Sequence, residues 1–134
     1  PNFKWTGPQK LPFDFLIELP SGRDVTIDVK TKKRNVPVLT SYSAHVPMSQ
    51  RDYEVDVYVF ANMSIVDDDP VLTMMGWCLK EWFWENAKIV QEGQIDDGHT
   101  ERAAAGKVQY QHLRDIDELF DRLSAHSTPE SMKV

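Results

Sequence analysis

With one cysteine, Cys78, among 134 residues, the chain cannot close an internal disulfide, which sets aside the disulfide-framed secreted scaffolds. Long apolar runs are also missing, and no stretch approaches the ~18 consecutive apolar residues that mark a membrane-span candidate. No basic-then-apolar leader opens the chain, so the expected setting is cytoplasmic. Positive charge is in short supply: 15 Lys and Arg against 21 Asp and Glu give a formal net charge of −6, which argues against coating nucleic acid by bulk electrostatics. There is no glycine-rich phosphate loop and no Ser, His and Asp set around a recognisable nucleophile turn. Cys78 falls in a stretch that reads as a buried strand, which leaves nucleophilic catalysis little support. The four histidines, His45, His99, His112 and His126, match no zinc spacing.

What is present suits one globular domain with a single packed core: 15.5 kDa, 41% hydrophobic residues, four Trp, four Tyr and six Phe. Residues 1–12, with three prolines, one glycine and no periodicity, read as an extended lead-in. Because the chain opens on Pro1 rather than Met, sequence upstream is expected to matter.

Phe13 to Arg34 reads as two strands joined by a turn at Pro20 to Arg23, with Val25, Ile27 and Val29 as an apolar face. Residues 31–52 show no clear period and are expected to be mostly loop, with a short helical turn between Pro47 and Tyr53. Tyr53 to Ala61 alternates as a strand, Asp67-Asp68-Asp69-Pro70 reads as a solvated turn, and Val71 to Leu79 resumes the strand pattern. Lys80 to Val90 is predicted to be an amphipathic helix whose aromatic stripe is core. Gln94 to Gly106 is predicted to be a polar loop, Val108 to Leu113 a short edge strand, and 115–124 a last helix opened by Asp115 and Glu118. Residues 125–134 are expected to fray as a flexible tail.

The chemistry concentrates in the first hairpin. Strand alternation puts Asp14, Leu16 and Glu18 on one side of the first strand and Asp24, Thr26, Asp28 and Lys30 on one side of the second. Two carboxylates and a lysine at the ends of neighbouring strands suit phosphodiester hydrolysis. Asp14 and Asp28, helped by the Val29 carbonyl, could hold Mg²⁺, while Lys30 orients a water or stabilises the transition state. Spacing alone favours an ordinary exposed hairpin, whose Asp and Lys at i and i+2 form a weak surface pair. Lys30, Lys32, Lys33 and Arg34 concentrate four basic residues in five positions, so local sign departs from the acidic total.

Pro12-Phe13-Asp14, then fourteen residues on Asp28-Val29-Lys30-Thr31 on a hydrophobic strand, resembles the signature of the PD-(D/E)xK nuclease superfamily. Asp52-Tyr53 leading into Val57-Tyr58-Val59-Phe60, and Gly76-Trp77-Cys78 leading into the Lys80 helix, resemble small phage-type members, so the likeness spans about 12–124. It implies an α/β domain, restriction-endonuclease-like, with a mixed central β-sheet of about five strands and flanking helices. It implies a Mg²⁺-dependent deoxyribonuclease, with Mn²⁺ substituting, in which Asp14, Asp28 and Lys30 are catalytic and Asp14, Asp28 and Val29 hold the metal. DNA is the implied partner, and the host cytoplasm the setting if the protein is phage-encoded. Gln50 stands where some relatives carry an accessory polar residue. Lys32, Lys33, Arg34, His99 and Arg102 are the further candidates for substrate contact.

Two departures from the pattern stand out. Phe13 lies between the proline and Asp14, and a helix that in this family precedes the aspartate strand, often supplying a glutamate, is not legible in residues 1–12. It is expected upstream of Pro1 or is lacking, and Glu18 is a weaker substitute as an outer ligand than as a partner of Arg23 or a lysine. The competing reading is a non-catalytic nucleic-acid- or protein-binding module that keeps the nuclease fold.

Overall fold

The computed structural model describes residues 2–5, 13–96 and 98–125. Its elements run β1 (Asn2–Trp5), β2 (Phe15–Glu18), β3 (Asp24–Arg34), β4 (Ser43–Pro47), a 3₁₀ turn (Met48–Gln50), β5 (Val57–Val66) and β6 (Asp69–Leu79). Helix α1 (Lys80–Asn86), β7 (Lys88–Val90), β8 (Ile95–Asp96), β9 (His99–Thr100), β10 (Ala105–Gln109), a second 3₁₀ turn (Tyr110–His112) and α2 (Ile116–Ala125) follow. The main sheet has the order β1-β2-β3-β5-β6 and is mixed, since β3 and β5 are parallel and the other neighbours antiparallel. The domain is therefore α/β with a mixed sheet, as expected. A smaller sheet, β4-β10-β7, and a two-stranded ribbon, β8-β9, complete it.

The first hairpin forms where the sequence places it. The Leu19 carbonyl accepts from Gly22 N at 2.9 Å, and Gly22 has φ of 87°, a conformation that glycine adopts without a Cβ penalty. Ile17, Val25 and Ile27 turn one way and are buried. With Leu19, Val57, Val59, Trp77, Leu119 and Leu123 they form one core, which α2 seals. Trp77 is fully buried: its indole donates to the Asp115 carbonyl at 3.0 Å, and the Arg114 guanidinium lies 5.0 Å over the ring. These contacts dock the start of α2.

The opposite face of the sheet carries a second core, in which Tyr58, Phe60, Cys78 and Phe83 meet Ala44, Val46, Val108 and Tyr110 from the smaller sheet and its following turn. Burial pushes the Cys78 thiol pKa far up, so it is an inert core residue.

Several boundaries differ from the sequence reading. β3 runs on to Arg34, and β4 is a strand in the stretch read as loop. Only Ala44 and Val46 of β4 point inward, too short an alternation to register, and β10 supplies the pairing from some sixty residues downstream. The helical turn expected after Pro47 is present at Met48–Gln50. β5 starts at Val57 and extends to Val66, because β3 pairs with it as far as Ser64 and β6 along its whole length. Asp67 and Asp68 have φ of 52° and 62°, as a two-residue hairpin turn requires, so the expected turn is confined to these two, and Asp69 and Pro70 already pair in β6.

Helix α1 stops at Asn86, whose side chain donates to the Trp82 carbonyl at 2.9 Å. The β-branched pair in Lys88–Val90 then joins β10, and β10 itself is the central strand of its sheet rather than an edge. Ile116–Ala125 is helical nearly as expected, and Asp115 Oδ1 accepts from Asp117 N at 2.8 Å. Ala125, expected to begin the frayed tail, is the last residue of α2; the rest of that tail, and residues 1 and 6–12 of the lead-in, lie outside the described residues.

Candidate functional site

Parallel pairing of β3 with β5 fixes the site. At its base, Asp56 Oδ2 accepts from Thr26 N at 2.9 Å and from Thr26 Oγ1 at 3.2 Å, while Asp56 N donates to Thr26 Oγ1 at 3.0 Å. This reciprocal clamp sets the register, which puts Asp28 beside Tyr58 and Lys30 beside Phe60. Asp28 and Lys30 thus share the face of the second core, while Val29 packs into the first.

Asp14 lies just before β2, and its backbone N donates to the Ile27 carbonyl at 2.9 Å. Its carboxylate Oδ2 accepts from Val29 N at 2.8 Å. Along a strand, a residue's N–H and C=O point to the same edge, and they alternate from residue to residue. Ile27 faces β2 and Thr26 faces β5, so Val29 presents its N–H and its carbonyl to the β2 side, beyond the point where β2 ends. The Asp14 carboxylate fills part of the gap that β2 leaves there.

Asp28 is buried, and Lys30 Nζ is 2.7 Å from its Oδ2. The same ammonium donates to Gln50 Oε1, delivered by the 3₁₀ turn after β4. Burial raises the Asp28 carboxyl pKa to about 6; Lys30 opposes that rise, and the neighbouring Asp14 carboxyl adds to it. Two carboxyls within mutual influence, one lysine and one amide therefore converge from three segments of the chain. Tyr58 and Trp84 form the adjoining wall, with Trp84 Nε1 donating to Tyr58 Oη at 3.0 Å. Burial and the Asp28 charge raise the Tyr58 hydroxyl pKa, so it stays neutral.

The structure brings together Asp14, Asp28, Val29, Lys30 and Gln50. Lys32 is exposed two residues beyond Lys30 on the same face, and Lys33 is exposed on the other face. Arg34 is engaged internally: its guanidinium donates to Asn62 Oδ1 and to Tyr110 Oη, and lies 5.0 Å over the Tyr42 ring. That position ties the end of β3 to the smaller sheet. His99 and Arg102 are exposed on the β8-β9 ribbon and the loop after it, and make no polar contact with Asp14, Asp28 or Lys30. Glu18 is four residues along β2 from Asp14, about 13 Å at ~3.3 Å per residue. It is not part of the cluster.

Two carboxylates and a carbonyl, where β3 runs past the end of β2, are hard oxygen donors, the set that suits Mg²⁺, which keeps several waters and takes few protein ligands. Among the described residues no third His, Cys, Asp or Glu groups with them. A cavity of about 590 Å³ opens between Phe13, Arg23, Thr26, Asp56 and Lys80, at the Thr26–Asp56 clamp; Asp14, Asp28, Lys30 and Gln50 do not line it.

The sequence reading did not pick out the Tyr58 and Trp84 wall. The parallel register that sets Tyr58 beside Asp28 has no local signature. Comparison of the chain with protein-family models, curated proteins and solved structures found no match.

Proposed function

We propose that the chain is a metal-dependent nuclease of restriction-endonuclease-like fold that hydrolyses DNA phosphodiester bonds. The observation that carries this reading is the convergence of Asp14, Asp28, Lys30 and Gln50 where β3 runs past the end of β2, with Lys30 held between Asp28 and Gln50. Asp14, Asp28 and the Val29 carbonyl would hold Mg²⁺. When bound, the ion supplies Lewis acidity for the scissile phosphate and lowers the pKa of an attached water.

The chain's own groups do the rest. Asp14 stays fixed by Val29 N, so its second oxygen keeps a set direction. Lys30, a compact charge with three donors, offers a proton-bearing group to an incoming water or to the phosphate oxygens. Gln50 holds that ammonium in place and, as a neutral acceptor, leaves its charge intact. Lys32 and Lys33 extend positive charge along β3 for the flanking backbone.

Purified protein incubated with linear, supercoiled and branched DNA should cut in Mg²⁺ or Mn²⁺ and not in EDTA. Asp28→Ala and Lys30→Ala should each lower the rate at least ~10²-fold. Cutting that persists equally in both variants would sink the assignment. Folded wild-type protein that binds DNA but cuts none of the three in either metal would favour the non-catalytic module.

A further inference from the structure

The 3₁₀ turn that delivers Gln50 to Lys30 carries a second side chain that the nuclease reading leaves without a role. Arg51, the next residue, is exposed and makes no ion pair among the described residues. Its guanidinium lies 5.2 Å over the Trp84 ring. The ring is itself locked, with its Nε1 on Tyr58 Oη at 3.0 Å and its plane edge-on to Phe83 at 5.1 Å. Tyr58 is the β5 neighbour of Asp28. Arg51 is thus anchored to the rim of the site through both its own turn and the aromatic wall.

Resting on the nuclease reading, we infer that Arg51 is a substrate-contacting residue. It grips a backbone phosphate flanking the scissile one, and Trp84 serves as its perch. Three features carry this. A guanidinium stacked on an aromatic face keeps its in-plane N–H donors available, and those donors match phosphate oxygens bidentately. The perch pre-orders a long side chain, which lowers the entropy lost on contact. The site also needs the charge: Lys30 is occupied by Asp28 and Gln50, and the molecule as a whole carries −6. Lys32 supplies positive charge further along β3, and Arg51 supplies it from the 3₁₀ turn.

The test uses the full chain and a fluorescent DNA oligonucleotide. Anisotropy in Ca²⁺ over a salt series gives binding, and cleavage in Mg²⁺ gives KM and kcat. Arg51→Ala should raise Kd and KM about 5- to 20-fold and leave kcat within about two-fold, as a lost charge-assisted contact outside the bond-breaking step does. The slope of log K against log salt should flatten by about 0.7–0.9, one phosphate's worth. Arg51→Lys should recover part of the affinity, and Trp84→Phe, which keeps a ring, should weaken binding less than Trp84→Leu. Arg122→Ala, a charge loss on α2 at the far face, should change none of these.

An Arg51→Ala protein with unchanged Kd, KM and salt slope, while Asp28→Ala still abolishes cutting, overturns this inference and leaves the nuclease reading standing. Wild type that binds but does not cut removes the nuclease reading, and the salt slope alone then decides for or against the phosphate contact. Wild type that neither binds nor cuts overturns both.

Discussion

Asp28 and Lys30 depend on each other, because a buried carboxylate needs a counter-charge and Lys30 supplies the nearest. Lys30→Met should therefore lower stability by about 1–3 kcal/mol at pH 7–8 without divalent cation, and Asp28→Asn should cost less in the Lys30→Met background than in wild type. Urea unfolding of the four proteins of this double-mutant cycle measures the coupling, which should be ~1–2 kcal/mol; strict additivity would mean that the pair is not coupled. His45 offers a separate test by pH. Burial, with Lys32 and Lys107 nearby, lowers its pKa from the ordinary 6.5, and Glu101 opposes the shift only in part. The unfolded chain therefore takes up the proton first as pH falls. His45 costs no stability well above pH 6.5 and costs progressively more as pH drops through 6.5 toward its folded value. His45→Gln should remove part of the stability lost between pH 7.5 and 5.5, and an unchanged loss would contradict the burial of this ring.

At the scale of elements, two glycines mark where strands and helix ends touch. A Cβ at Gly76 would lie 2.6 Å from the Arg114 carbonyl oxygen, and its φ of 142° disfavours any side chain, so Gly76→Ala should cost about 2–4 kcal/mol in thermal or urea unfolding. A Cβ at Gly106 would lie 2.7 Å from Trp84 and 3.0 Å from Phe83, so Gly106→Ala should displace the indole and shift its fluorescence. The first hairpin and the last helix were legible because local signals and tertiary contacts agree there: strand alternation with a Gly22 turn, and an Asp115 cap before an apolar stripe. β4, β7 and β10 were not, since each is short and owes its existence to partners far off in sequence. The same split runs through the site. Asp14, Asp28 and Lys30 could be found from a hairpin and its spacing, and Gln50 from a resemblance. The neighbours Tyr58, Trp84 and Arg51 depend on the parallel β3–β5 register and on where α1 lands, neither of which any short window encodes.

Across the whole molecule the main sheet divides the labour. One face is sealed by α2 around Trp77, Leu119 and Leu123, with the Arg114 guanidinium stacked over the Trp77 ring. The other face holds Asp28, Lys30 and Tyr58 beneath the smaller sheet and α1, and there buried polarity and open surface meet. An acidic protein can present such a site because the charges that matter are local, and a bound divalent cation would offset Asp14 and Asp28. The central claim is that these two carboxylates act as one cation site beside the lysine, and calorimetric titration with Mn²⁺ tests it most directly. Wild type should bind Mn²⁺, Asp14→Ala and Asp28→Ala should each weaken that binding at least ~10-fold, and Lys30→Ala, which frees Asp28, should bind as tightly or more tightly. Equal binding by wild type, Asp14→Ala and Asp28→Ala, or none by the folded wild type, would contradict the account.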